Sequence, residues 1–226
     1  MKERLSVIKN KTDRNKLLVH EIYASIQGES SHMGLPCVFV RTTGCHLRCS
    51  YCDTQHAFFD GKEMDLKEII DKVLSFAIPK VELTGGEPLL QPASFKLLDA
   101  LVDCGLDVLL ETSGAVSIKN VNRKVKVILD VKTPSSSECN KNVLANLDLL
   151  WPGCEVKFVI ATEEDYRFAK EFVKTHKLSE RTHVLFSPVL SSIRATDLAD
   201  MIIQDKLNVR FQMQLHRILW GEEPGK

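Results

Sequence analysis

Three cysteines, Cys45, Cys49 and Cys52, fall in the run Gly44-Cys45-His46-Leu47-Arg48-Cys49-Ser50-Tyr51-Cys52-Asp53-Thr54. Structural zinc sites and fully ligated iron–sulfur clusters take four protein ligands, so a triplet leaves one metal position open. On a cubane four-iron cluster, the open iron is where a small molecule can chelate and receive an electron. The spacing also admits a zinc knuckle completed by His46 or His56, or ordinary buried thiols.

Further residues with chemical potential follow at intervals. Gly85-Gly86-Glu87-Pro88 lets the backbone pass close to a ligand, because two consecutive residues lack a Cβ. Its carbonyls and the Glu87 carboxylate suit an ammonium group; otherwise the run is a strand-to-helix turn. Glu111-Thr112-Ser113-Gly114 offers a carboxylate and hydroxyls to ribose hydroxyls or an amine, or else starts a helix. Asp130-Val131-Lys132-Thr133-Pro134-Ser135 places a cation for a carboxylate, or forms a surface salt bridge. The glycine pair is weak evidence alone. One βα unit behind a cysteine triplet, it is strong.

These groups need elements to position them. Cys37-Val38-Phe39-Val40-Arg41 reads as a strand running into the cysteine loop. Leu66, Ile69, Ile70, Val73 and Leu74 recur at helical spacing, with Asp65 and Glu68 placed like a capping box. Val81 to Thr84 is the next strand, and a helix follows from about Pro92 through Phe95, Leu98, Leu101 and Val102. Strands are predicted over 107–110, 125–131, 155–160 and 183–186, with a helix capped by Thr162 and another through Leu198, Ile202 and Ile203. Strands alternating with helices predict an α/β fold with a mainly parallel sheet of about six strands. That number is too small to close an eight-stranded barrel, so a partial, open β/α barrel is expected. Polar clusters at 44–54, 85–87, 111–114, 132–136 and 187–188 each follow a predicted strand. In such folds the C-terminal strand ends form the active face.

Composition narrows the setting. The chain has 226 residues, 44% hydrophobic and 27% charged, which suits one globular domain, here 19–226, behind a leader, 1–18. Lys plus Arg balance Asp plus Glu at 30 each, so no direct nucleic-acid binding is expected. No apolar run nears the roughly 18 residues of a membrane span, and Met1 to Lys16 lacks the apolar core of a signal peptide. Seven cysteines, four of them scattered singly, suit a reducing cytoplasm better than a disulfide framework.

The triplet with Tyr51 before its last cysteine, followed by Gly85-Gly86-Glu87-Pro88, resembles the radical S-adenosylmethionine superfamily. The resemblance implies a 4Fe–4S cluster held by Cys45, Cys49 and Cys52, with S-adenosylmethionine chelating the fourth iron. Reduction of the sulfonium then gives methionine and a 5′-deoxyadenosyl radical that abstracts hydrogen from substrate. Ser25-Ile26-Gln27-Gly28-Glu29, Gly34-Leu35-Pro36, Arg41 ahead of Cys45, Asp53-Thr54 and Gln212-Met213-Gln214-Leu215-His216-Arg217 narrow the match, from about Val19 to Trp220, to the 7-carboxy-7-deazaguanine synthase family. Its members are carbon–nitrogen lyases that contract 6-carboxy-5,6,7,8-tetrahydropterin to 7-carboxy-7-deazaguanine, losing ammonia, on the way to the queuosine and archaeosine of transfer RNA.

The resemblance assigns roles residue by residue. Thr54 would bind Mg²⁺ beside the substrate carboxylate; without the resemblance it reads as a turn residue. Ile26, Gln27, Gly28 and Glu29 would line the pterin, Arg41 would pair its carboxylate in a fork, and Thr84 and His216 would touch it. Gly86, Glu87, Ser113, Asp130, Lys132, Ser187, Pro188, Val189 and Leu190 would cradle S-adenosylmethionine. Where the family often has Ser-Pro-Lys, this chain has Asp130-Val131-Lys132. A homodimer and an electron donor such as flavodoxin or ferredoxin are also implied. Two other readings compete. A glycyl-radical activating enzyme shares the cysteines and glycines but gives no reason for residues 25–29. A zinc-stabilised nucleic-acid-binding module lacks a second cysteine pair and a basic charge.

Overall fold

The computed structural model describes residues 15–221 together with 223 and 225. Nine strands form one open sheet: β1 Lys16–Ile26, β2 Pro36–Thr42, β3 Lys62–Asp65, β4 Lys80–Gly85, β5 Asp107–Thr112, β6 Lys126–Asp130, β7 Glu155–Ile160, β8 His183–Pro188 and β9 Arg210–Phe211. The order is β3-β1-β2-β4-β5-β6-β7-β8-β9. From β2 to β9 all neighbours run parallel, while β1 pairs antiparallel with β2 and β3. All six predicted strands are present. The three additional ones lie at the two edges of the sheet.

Among the described residues, five α-helices connect strands, α1 Leu66–Ser75, α2 Ala93–Asp103, α3 Ala145–Asp148, α4 Glu163–Thr175 and α5 Ala195–Gln204, and a sixth, α6 Leu215–Trp220, follows β9. Thr162 closes a full capping box with Asp165 at the start of α4. Asp65 takes the N-cap of α1 but makes no side-chain capping bond, so the expected box is absent there. The crossover from β5 to β6 has no helix; Ile118 and Val121 fill the core in its place.

Alternation along each strand separates two environments. Val40, Leu83, Leu110, Leu129 and Phe158 face outward and bury against the helices in one apolar core. Arg41, Glu82, Glu111, Asp130 and Lys157, their immediate neighbours in sequence, face the concave side. The expected leader needs correcting at its end. Residues 1–14 lie outside the described residues, but Lys16, Leu17 and Leu18 open β1. Leu17 is fully buried, and Leu18 exchanges backbone bonds with the Gln91 amide at 2.8 and 3.0 Å. An apolar side chain and a satisfied backbone hold this segment in the sheet.

Candidate active site

The cysteine loop begins where β2 ends, and its backbone is anchored before any ligand is considered. Gly44, at φ +96°, turns the chain out of the strand. Its N–H donates to Ala57 O and its carbonyl accepts from Glu87 N, both at 2.9 Å. A Cβ on Gly86 would run into that same carbonyl and into Cys45. The second glycine is therefore needed for the turn after β4 to lie against the cysteine loop. From the far side, Glu138 accepts from Arg48 N at 2.6 Å, Ser136 O accepts from Ser50 N at 3.2 Å, and the Tyr51 hydroxyl meets Thr133 Oγ1 at 3.2 Å. The Arg48 guanidinium stacks on Phe58 at 4.2 Å.

Cys45, Cys49 and Cys52 all open into one cavity. Burial pushes the Cys45 thiol up to about 11, opposed by the Leu47 N–H pointing at its sulfur, and raises Cys49 as well. A bound metal would take these sulfurs as thiolates.

Of the residues assigned by resemblance, the same cavity gathers Ile26, Gln27, Gly28, Glu29, Arg41, Thr54, Thr84, His216, Gly86, Ser113, Asp130, Lys132, Ser187, Pro188 and Val189. Two do not reach it. Leu190 lies beyond the rim and is 45% exposed. The Glu87 carboxylate, fully buried, accepts from Leu89 N, Thr112 Oγ1, Ser113 N and Ser113 Oγ at 2.5–3.0 Å. This corrects the sequence-based expectation of an ammonium-binding carboxylate: Glu87 braces the ends of β4 and β5 together, and its acceptor capacity is already used.

On the cofactor side, Lys132 Nζ donates to Asp130 Oδ2 at 2.8 Å. Burial opposes the Lys132 charge, but Asp130 and Cys49 outweigh it and hold the ammonium above its ordinary range. Asp130 Oδ1 is buried without a hydrogen-bond partner among the described residues. An acceptor left unpaired at this depth fits an arriving N–H or O–H donor, which the amino acid and ribose parts of S-adenosylmethionine both offer.

The other side of the cavity is a chain of polar contacts. Gln27 donates to the Glu82 carboxylate and accepts from Glu29 N at 3.0 Å. Lys157 sits between Glu29, at 2.6 Å, and Glu111, which it also contacts, with Asp130 at 3.9 Å. Thr84 Oγ1 donates to Glu111 at 3.3 Å. Burial opposes the charges of both partners, yet Lys157 holds Glu111 below the usual carboxylate range, and the surrounding carboxylates hold Lys157 well above its own. Glu82 goes the other way: burial, then Glu111 and Glu29, raise it well above the ordinary value. Arg41 spends Nε on Glu21 at 2.7 Å and Nη2 on the Tyr23 hydroxyl at 2.8 Å. The salt bridge that is the plain reading of a strand-end arginine is thus present, and it orients a guanidinium that still lines the cavity.

The C-terminal segment closes this side. Gln212 pairs with both backbone groups of Ser30 at 2.7 and 2.9 Å. Gln214 Nε2 donates to Glu29 at 2.7 Å, Gly28 O accepts from Leu215 N at 2.9 Å, and a Cβ on Gly28 would collide with the His216 ring. Sequence reasoning passed over Tyr23, Glu82, Lys157 and Gln214. The signal for Glu82 and Lys157 was a charge isolated within an apolar strand, Val81-Glu82-Leu83 and Val156-Lys157-Phe158.

An open parallel sheet with three thiols in a loop after its first parallel strand, facing a glycine turn after the next, defines a radical S-adenosylmethionine enzyme. The Radical SAM superfamily profile matches residues 39–141. The 7-carboxy-7-deazaguanine synthase of Chlorobaculum tepidum is 43% identical, covering 92% of this chain and 96% of its own. That of Koribacter versatilis is 42% identical, covering 91% and 97%. Among solved structures, QueE from Escherichia coli matches with a TM-score of 0.74 at 20% identity, over 89% of this chain and 95% of that one, which bears on the fold. The chain belongs to the 7-carboxy-7-deazaguanine synthase family.

Proposed function

We propose that this protein converts 6-carboxy-5,6,7,8-tetrahydropterin to 7-carboxy-7-deazaguanine with release of ammonia. One observation carries the reading: the three thiols and the family's pterin-side residues, Gln27, Gly28, Glu29, Arg41, Thr84 and His216, line one cavity. Cys45, Cys49 and Cys52 would hold the cluster, and the Gly86 turn, Ser113, Asp130 and Lys132 would hold S-adenosylmethionine. When bound, these groups would supply hydrogen-abstracting radical chemistry at the substrate. The protein's own work is positioning. Glu111, kept anionic by Lys157, and Glu29, which pairs with the same ammonium, present acceptors to the N–H-rich edge of a pterin. Arg41, fixed by Glu21 and Tyr23, offers N–H donors to its carboxylate.

A Mg²⁺ ion at Thr54 belongs to the same reading. The Thr54 hydroxyl caps nothing although it stands at the N-cap of the turn Gln55–Phe58, and Mg²⁺ takes few protein oxygens and keeps its waters. A homodimer and a low-potential donor such as flavodoxin or ferredoxin complete the proposal, and a reducing cytoplasm would suit the cluster. The test is anaerobic reconstitution with iron and sulfide, followed by mass analysis with S-adenosylmethionine, reductant and the tetrahydropterin. Mass-verified 7-carboxy-7-deazaguanine is the expected product. 5′-Deoxyadenosine without any deazaguanine would overturn the substrate and leave the superfamily intact.

A further inference from the structure

A second group of metal-ligating side chains stands beside the cavity and does not line it. His20, Glu21 and His56 each bring one ligand atom within 4.8 Å of the other two. His20 and Glu21 are neighbours on β1, and neighbours on a regular strand project to opposite faces. Here the β1–β2 register slips between Val19 and Glu21, a β-bulge. A bulge re-aims side chains locally, and the two residues come together at one point. His56 arrives from the turn Gln55–Phe58 that follows the cysteine loop. Its ring lies 5.2 Å from that of His20, tilted by 51°, and its Nε2 lies 4.0 Å from Glu21 Oε1.

The second observation is an unsatisfied nitrogen. His20 Nδ1 is buried with no hydrogen-bond partner among the described residues, a situation that costs stability unless a ligand answers it. Neither the pterin nor S-adenosylmethionine accounts for it, because none of the three residues faces their cavity.

We propose that His20, Glu21 and His56 form a second metal site, separate from the cysteine loop, for a divalent first-row transition ion of the zinc class. Two imidazoles and a carboxylate are borderline donors that suit such ions, whereas Mg²⁺ and Ca²⁺ prefer all-oxygen shells. Zinc–nitrogen bonds of about 2.0–2.1 Å put tetrahedral ligands about 3.4 Å apart, so the three atoms must close by roughly 1 Å. His56, with 53% of its side chain exposed on a four-residue turn, supplies that movement. Glu21 Oε1, 4.0 Å from His56 Nε2, also takes Arg41 Nε at 2.7 Å, so the carboxylate would bridge the guanidinium and the ion. Bound there, the ion ties the strand that orients Arg41 to the turn that begins after Thr54. The site stands independently of the substrate assignment.

The test uses the full-length, cluster-loaded protein, held anaerobically, cleared of loosely bound metal with a mild chelator, and titrated with Zn²⁺ in millimolar Mg²⁺. Expected are one zinc per chain and an X-ray absorption spectrum with nitrogen and oxygen neighbours, imidazole scattering and no sulfur. His56→Ala and His20→Ala should each weaken zinc binding at least tenfold, since even outer-shell losses cost about 10–100-fold, with iron content unchanged. A sulfur first shell, uptake indifferent to both substitutions, or no uptake overturns the proposal.

Discussion

Lys157 shows how much a single residue organises here. It occupies the middle of β7 between Val156 and Phe158, and its ammonium is shared by Glu29, Glu111 and Asp130. Lys157→Met keeps the stem and removes the charge, leaving Glu29 and Glu111 facing each other without a cation between them. Breaking a buried pair in this way costs about 3–5 kcal/mol. Urea unfolding of the variant should show a loss of that order, and product formation should fall with it. Glu82 allows a subtler test, because its folded-state carboxyl holds its proton well above the ordinary range. Between the unfolded value, about 4.3, and the raised folded value, the native state binds the extra proton. Stability therefore declines as pH rises through that window, by roughly 1 kcal/mol per pH unit for one group. Glu82→Gln removes the titration, so its melting temperature should hold across that window while that of the parent drops. Parallel melting profiles for the two proteins would show that folding does not raise the Glu82 carboxyl.

At the scale of elements, the cysteine loop is a segment whose shape is set by its neighbours. Gly86 lets the β4–α2 turn approach from one side, and Glu138 clamps Arg48 N from the other. Gly86→Ala should displace Gly44 and Cys45, and the protein should lose most of its reconstituted iron while remaining folded. Absorbance near 400 nm and an iron assay, beside a circular dichroism melt, would read both. Glu138→Ala removes one clamp of several, so partial iron loss is expected. Much of this was legible in the sequence, because the six predicted strands and the turns that follow them carry local signals: apolar runs, glycine pairs and a proline near a helix start. The edge elements were not. β1 mixes polar and apolar residues, since one face meets the core and the other presents Glu21 and Tyr23 to Arg41. β3 and β9 are four and two residues long. Glu87 was misread for a related reason: a carboxylate after a glycine pair resembles a ligand group, and only the positions of Thr112 and Ser113 show that its oxygens are already taken. The bulge at His20 is likewise a matter of register between two strands, which no single segment reveals.

Across the whole molecule, the loop at 27–30 and the segment after β9 meet at the cavity, and this contact is what the open sheet needs. An unclosed barrel leaves its concave face accessible; here the segment after β9 returns to cover the loop at 27–30. Gln212 bonds both backbone groups of Ser30, whose φ of +62° costs a non-glycine residue about 1–2 kcal/mol and needs such support to persist. Gln214 and His216 then sit against Glu29 and Gly28. None of these residues belongs to the cofactor side. A chain ended after Phe211 keeps all nine strands, the cysteine loop, Gly86, Asp130 and Lys132, and loses the cover of the pterin side. Such a protein should bind its cluster and still cleave S-adenosylmethionine to 5′-deoxyadenosine when reduced, while 7-carboxy-7-deazaguanine falls at least about a hundredfold, the scale on which small misplacements of a bound substrate act. Chromatographic quantification of both products from one reaction gives the ratio directly. If both fall together, the C-terminal segment supports the whole fold; if neither falls, residues 27–30 hold the substrate without it.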